Sequence, residues 1–324
     1  MRPNFVATLT AVLALAVPSL DLGRCSLHAQ EVSPQRAVLV TGASTGIGRK
    51  TAELLASRGF FVYAGARKAS DLAELDAIDN VKSIRLDVTI QEEIDAAVET
   101  VRAEGRGLHG LINNAGVAVV APLIEVDEAE MFFQMDVNVM GPYRVTKAFA
   151  PLIIESRGRI STTGSLSGFV TWPLGGPYTM SKHAVEAYSE VLAAEMARFG
   201  VKVSVIEPGN YNSQIFPNLI RRLEEQGYTT EGSLYKEQID GLLGRVVAGL
   251  NEPEPDDVAE AFFHAMSDDN HKGHYLVVPV QREAEVTIRA AFARLVQINE
   301  GHEFSYDRDA LVRMLDEALE RAGR

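Results

Sequence analysis

Tyr178 and Lys182 stand four residues apart in Gly-Pro-Tyr-Thr-Met-Ser-Lys. A helix that begins near Pro177 projects both side chains from one face, about one turn apart. An ammonium that close to a phenol favours the phenolate and lowers the tyrosine pKa toward working pH. A tyrosine tuned in this way passes a proton to or from a carbonyl or hydroxyl oxygen. Ser165 lies thirteen residues upstream, just past the run Arg159-Ile160-Ser161-Thr162-Thr163, which reads as a strand. A hydroxyl at that strand's end is placed to bond the same oxygen. Tyr and Lys at this spacing also occur on ordinary exposed helix faces, so the reading depends on the elements around them.

Those elements alternate. From Arg36 onward, short apolar runs are separated by amphipathic stretches, the signature of βαβ units and a parallel sheet. Strands are expected at 37–40, 60–64, 82–86, 110–112, near Ile160, at 201–206 and at 275–278. Helices are expected at 49–57, 71–77, 91–103, 127–155 with a bend or break at Gly141-Pro142, 178–198 and 255–266. Residues 210–250 show no strand pattern and carry scattered large apolar residues. Amphipathic stretches at 283–297 and 310–324 form a helical extension beyond about residue 280. The fold class is therefore α/β, one doubly wound parallel sheet of about seven strands flanked by helices.

Composition narrows the function. The chain has 324 residues and a net charge of −13 without a basic block, which argues against nucleic acid. A single cysteine, Cys25, excludes an internal disulfide and a cysteine-built metal site. His271 and His274 fall in a polar stretch that reads as a turn before a strand, and no metal is expected. Residues 1–30 differ from the rest: Arg2, the apolar run Phe5 to Val17, then Pro18 and a polar stretch ending Leu27-His28-Ala29-Gln30. That layout is a secretory signal, a disordered extension, or a start set too far upstream. Its apolar run is too short for a stable membrane span.

Gly42, Gly46 and Gly48 sit between the first strand and its helix. Glycines there permit a tight turn and let the backbone approach a pyrophosphate on a helix N-terminus. Taken with the other motifs, the chain resembles the short-chain dehydrogenases/reductases over residues 36–280. The motifs stand in family order: Thr-Gly-x-x-x-Gly-Ile-Gly at 41–48, Asp87, Asn113-Asn114-Ala115-Gly116, Asn138, Ser165, Tyr178-x-x-x-Lys182 and Pro208-Gly209. The resemblance implies a Rossmann-type domain that includes a substrate loop at 210–250, followed by the extension at 281–324.

It also implies roles. Tyr178 would be the general acid/base, Ser165 would polarise the substrate oxygen, and Lys182 would serve both the tyrosine and the nicotinamide ribose. Asn138 would hold Lys182 and a water in a proton relay. Ser44, Thr45 and Ile47 would join the three glycines around the cofactor, as would Asp87 with Val88 at the adenine. Asn114, Ala115 and Gly116 would line its centre, with Pro208, Gly209 and Ser213 near its amide. Ser213 stands where the family often has threonine, and it keeps the hydroxyl.

NAD-preferring enzymes place a carboxylate at the end of the second strand. Here Ala66 takes that place, followed by Arg67 and Lys68, which suit a 2′-phosphate. NADP is therefore expected over NAD, although such residues also occur as plain solvated loop positions. Phe169, Trp172 and Leu174, with Tyr211, Ile215, Phe216, Leu219 and Ile220, either line an apolar pocket or pack a lid. The first alternative fits a small hydrophobic alcohol, aldehyde or ketone, on the steroid and retinol dehydrogenase side of the family. The resemblance further implies a homo-oligomer built on helices 127–155 and 178–198. Localisation is cytoplasmic by cofactor need, or periplasmic or secreted if residues 1–30 act as a signal. Sugar-nucleotide epimerases share the Tyr-x-x-x-Lys pair but carry a tighter glycine motif. A catalytically silent nucleotide-binding member of the fold, with a regulatory or interaction role, is the alternative function.

Overall fold

The computed structural model describes residues 35–248 and 252–323. The expected signal or extension at residues 1–30 lies outside them. Seven strands form one parallel sheet in the order β3-β2-β1-β4-β5-β6-β7. They are β1 (Ala37–Val40), β2 (Phe61–Ala66), β3 (Val81–Arg85), β4 (Gly110–Asn113), β5 (Arg159–Thr163), β6 (Lys202–Pro208) and β7 (His274–Val277). β1 and β4 are buried at every position, which is why they read as unbroken apolar runs.

Side chains along a strand alternate between the two faces, and the core divides accordingly. Leu39, Leu111 and Ile160 pack with Val145, Phe149 and Ile153 under α3 (Gln91–Ala103) and α5 (Gly141–Glu155). Val38, Val40 and Ile112 pack on the other face with Leu55, Phe262 and Met266, from α1 (Gly46–Ser57) and α9 (Asp256–Ser267). Two consecutive residues, Val38 and Leu39, thus serve different cores.

Three local features differ from expectation. The helical region before residue 155 does not break at Gly141-Pro142. α4 (Glu128–Met135) passes through a widened turn at Asp136–Met140 straight into α5. Pro142 cannot supply the amide that residue 138 would accept in an α-helix, and the wide turn absorbs that loss. The segment 210–250 is not irregular: it holds α7 (Ile215–Glu225) and α8 (Lys236–Val247). The helix of Tyr178, α6, begins two residues earlier and spans Gly176–Met196. A short α2 (Ala69–Asp76) joins β2 to β3.

The C-terminal extension consists of α10 (Gln281–Asn299) and α11 (Arg308–Arg321), both largely exposed. It is tied to the body where Asn210 Nδ2 donates to Glu283 Oε1 at 2.6 Å. No helix among the described residues is long and apolar enough to cross a membrane.

Candidate active site

In this strand order the direction in which successive strands are added reverses between β1 and β4, and the loops leaving them part at the carboxyl edge of the sheet. Such a parting is where open parallel sheets bind ligands. Here it opens into a cleft of about 880 Å³. Every residue expected to hold the cofactor lines it, from Gly42 to Ser213, together with Ser165, Tyr178 and Lys182.

The two parted loops are tied by one threonine. Thr41 Oγ1 accepts from the backbone amides of Asn114 at 2.9 Å and Ala115 at 3.0 Å. Asn114 returns the tie, donating from Nδ2 to the carbonyls of Thr41 and Gly42, both at 3.1 Å. Gly42 adopts φ +64°, and a β-carbon there would lie 2.8 Å from the Ala115 α-carbon. Only glycine meets both demands without strain. At Gly48 a β-carbon would fall 2.3 Å from both Asn114 Nδ2 and the Gly42 carbonyl.

α1 begins at Gly46 with no side-chain cap from Thr45 and no acidic residue in its first turn. Its first amides therefore face the cleft with the positive end of the helix dipole. Anionic phosphate belongs in such a place. The glycine cradle and bare helix end together fit the pyrophosphate of a dinucleotide.

At the adenine end, Asp87 Oδ1 accepts from Thr89 N at 3.0 Å and Thr89 Oγ1 at 2.7 Å. Burial opposes ionisation of this carboxyl, but the Thr89 bonds and the Arg67 guanidinium outweigh it and hold its pKa below the ordinary value. Arg67 is exposed and reaches Asp87 Oδ2 at 3.5 Å.

Ser165 leaves β5 in extended conformation and its Oγ accepts from Ser167 N at 3.1 Å. The same hydroxyl faces Tyr178, which is half-buried at the cleft wall. The lysine behaves differently from the expectation. Lys182 Nζ donates to the Thr163 carbonyl at 2.7 Å and stands 5.7 Å from the centre of the Tyr178 ring. It therefore does not draw the phenol down. Burial, the largest effect, pushes the Tyr178 pKa up, and the neighbouring Ser165 hydroxyl offsets only part of that. Tyr178 is consequently held as a neutral phenol, a proton donor.

Asn138 lies behind the cleft wall. It does not touch Lys182 and does not line the cleft. Its Oδ1 accepts from Val117 N at 2.9 Å, and its Nδ2 donates to Ser181 Oγ at 3.1 Å. Gln134, fully buried, donates to the same Ser181 oxygen at 3.2 Å. Ser181 Oγ in turn donates to the Tyr178 carbonyl at 2.7 Å. The physical reason is position: the wide turn at 136–140 aims Asn138 at the loop after β4 and the inner face of α6. Asn138 thus ties the loop after β4 to the helix that carries the tyrosine.

The substrate side of the cleft is lined by Phe133, Trp172, Ile215, Phe216, Leu242 and Val246, among others. Leu219 lies buried beneath α7, and Tyr211 is buried as well. Sequence reasoning missed Thr41, Gln134, Ser181 and Thr163 as site-builders. Of these only Thr41 carried a signal, as the first residue of the glycine turn.

The fold and cleft define a dinucleotide-binding protein with a serine, a tyrosine and a lysine converging beside an apolar wall. The chain belongs to the short-chain dehydrogenase family, whose model matches residues 36–223. It is 39% identical over 214 residues to the mitochondrial D-beta-hydroxybutyrate dehydrogenase of Bos taurus, covering 62% of each chain. It is 37% identical over 182 residues to the 3-ketodihydrosphingosine reductase of Bacteroides thetaiotaomicron, covering 56% of this chain and 66% of that one. The chain spans about three fifths of the length of the D-beta-hydroxybutyrate dehydrogenases it matches. Among solved structures, a short-chain dehydrogenase/reductase from Burkholderia phymatum in complex with NAD superposes with a TM-score of 0.70 at 25% identity. That superposition covers 84% of this chain and 98% of the other.

Gly48→Ala should weaken nicotinamide dinucleotide binding by at least about tenfold, since the added carbon displaces Asn114 or the Gly42 carbonyl from the cradle. Fluorescence titration checks this, and affinity within twofold of wild type would contradict it.

Proposed function

We propose that the protein is an oxidoreductase that moves a hydride between NADP(H) and a hydrophobic alcohol, aldehyde or ketone. The observation that carries this reading is the convergence of Ser165 and Tyr178 on one cleft wall, with Lys182 one turn behind the tyrosine and an apolar wall opposite. The nicotinamide ring supplies or accepts the hydride when the cofactor is bound.

The chain's own residues do the rest. Ser165 and Tyr178 present two hydroxyls to the substrate oxygen and fix its position. The neutral phenol of Tyr178 gives its proton to that oxygen as charge develops on it, and takes the proton back in the reverse direction. The Lys182 ammonium stabilises the phenolate left behind, once the Thr163 carbonyl is no longer its better partner. Trp172, Phe133 and the residues of α7 and α8 exclude water, which strengthens each of these interactions. An apolar wall of this kind favours a hydrophobic substrate, and the likeness to a 3-ketodihydrosphingosine reductase agrees with that.

Tyr178→Phe removes the proton donor and little packing. Turnover with a panel of apolar carbonyl compounds should fall at least about a hundredfold, with cofactor affinity unchanged within about twofold. Retention of more than a tenth of wild-type kcat would sink the reading.

The preference for NADP rests on a place without a carboxylate. Ala66 is buried at the end of β2, and the exposed Arg67 follows, with a long contact to Asp87 among the described residues. A guanidinium so placed can turn onto a 2′-phosphate. Wild type should show the higher kcat/KM with NADP, and Arg67→Ala should erode that preference by about tenfold or more. An enzyme that already favoured NAD would refute this part of the proposal.

A homo-oligomer completes the reading. Phe132, Tyr143 and Val191 remain 65%, 43% and 57% exposed on α4, α5 and α6, the helices on which an interface is expected. Light scattering at micromolar concentration should return a multiple of 35.3 kDa, and a monomer mass would end the proposal.

A further inference from the structure

Burial works against the charge on Lys182 and brings its pKa down to about 8, and the carboxyl group that opposes this is Glu186, one turn further along α6. Glu186 is 7% exposed and lies behind the cleft wall. The loop that carries Ser165 is wrapped around it: a β-carbon at Gly164 or Gly168 would fall 2.7 or 2.6 Å from Glu186 Oε1. Two more residues close the cluster, Glu207 of β6, 1% exposed, and His274, which opens β7. His274 Nδ1 lies 2.7 Å from Glu207 Oε1 and 3.6 Å from Glu186 Oε2, and its Nε2 lies 3.7 Å from Glu190 Oε1. Both Glu186 oxygens and Glu207 Oε2 are buried and find no hydrogen-bond partner among the described residues.

Two buried carboxylates facing each other cannot both carry full charge, and one proton held between them satisfies both. Burial and Glu207 together push Glu186 well above the usual carboxylate range. The bond to Glu207 raises His274 in turn. The groups facing Glu186 are Lys182 on its own helix, Glu207 from β6 and His274 from β7, with Glu190 beyond the histidine. The loop 164–168 brings no charge.

We propose that Glu186, sharing one proton with Glu207, is the positioning residue that keeps Lys182 an ammonium. The use of that ammonium in catalysis rests on the function proposed above; the charge coupling itself does not. The pair keeps its proton through the lysine's titration, so in the wild type Glu186 faces the ammonium with only part of a negative charge.

The protein has eight lysines, few enough to follow individually by NMR with ε-13C-lysine labelling, in the full chain without cofactor. The signal missing from Lys182→Met identifies Lys182. Its midpoint should lie near 8 in wild type and fall by at least about one pH unit in Glu186→Gln. In Glu207→Gln it should rise instead, because Glu186 then ionises at ordinary pH and faces the lysine as a full anion. An unchanged or raised midpoint in Glu186→Gln overturns the proposal, as does an unchanged or lowered one in Glu207→Gln. If Glu186→Gln does not fold, Glu207→Gln decides alone: a rise supports the proposal and any other result overturns it. Stoichiometric zinc or manganese binding by wild type, lost in Glu207→Gln, would also overturn it, since a cation would then join the carboxylates. No substrate enters this measurement, so its failure leaves the proposed reaction standing. An inactive enzyme with the expected titration would remove only the reaction.

Discussion

An ion taken out of water costs several kcal/mol unless polar groups replace its hydration. The Lys182 ammonium meets that constraint at the carboxyl end of β5, and the surrounding elements are arranged to satisfy it. The strand supplies the Thr163 carbonyl as direct acceptor. The helix supplies the Tyr178 ring at one side and Glu186 one turn further on. The loop between strand and helix must then be small enough to close over both, and glycines at 164 and 168 make that possible. Ser165 and Tyr178 are brought together as a consequence of seating the lysine.

The cofactor half of the cleft is held open by a different device. A parallel sheet whose loops part at the switch point leaves backbone amides with no strand partner. Thr41 and Asn114 answer those groups across the gap with short hydrogen bonds. Polar ties keep the glycine turn and the loop after β4 at a fixed separation without filling the space between them with side chains. Apolar contact at the same place would have closed the crevice. The Asn138–Ser181–Gln134 knot does the equivalent on the opposite wall, joining the wide turn before α5 to α6.

Much of this was legible in the residues. Strands buried on both faces appear as short apolar runs, and β1 and β4 stand where such runs lie, while β6 is buried although Ser204 and Glu207 interrupt it. The Tyr178–Lys182 spacing and the glycine turn are local signals, fixed by helix period and by steric room. What the chain hides is non-local. The lysine's partner is a main-chain carbonyl, and any residue type would present the same one. Glu186 and Glu207 carry no local mark of a shared role, and they meet only when β6 and α6 are placed side by side. α7 was obscured by Pro217 and by neighbouring glycine and asparagine, although Ile215, Leu219 and Leu223 recur at helical spacing. The widened turn at 136–140 leaves no mark except Pro142, which signals a disturbance but not its kind.

The strand order has a kinetic side. β1 lies between β2 and β4, with β2 and β3 intervening in the chain before β4, and every other neighbouring pair is joined by a crossover, so pairing partners are distant along the chain. Closing such separations slows folding. The cleft gathers side chains from residue 42 to residue 252, and no single folding unit contains enough of it to bind a dinucleotide. Ligand therefore recognises only the finished sheet. A dinucleotide at a hundred times its dissociation constant would add about 2.7 kcal/mol to the stability of the native state by mass action alone. The cellular supply of cofactor, through that term, would help to set how long each copy of the chain survives.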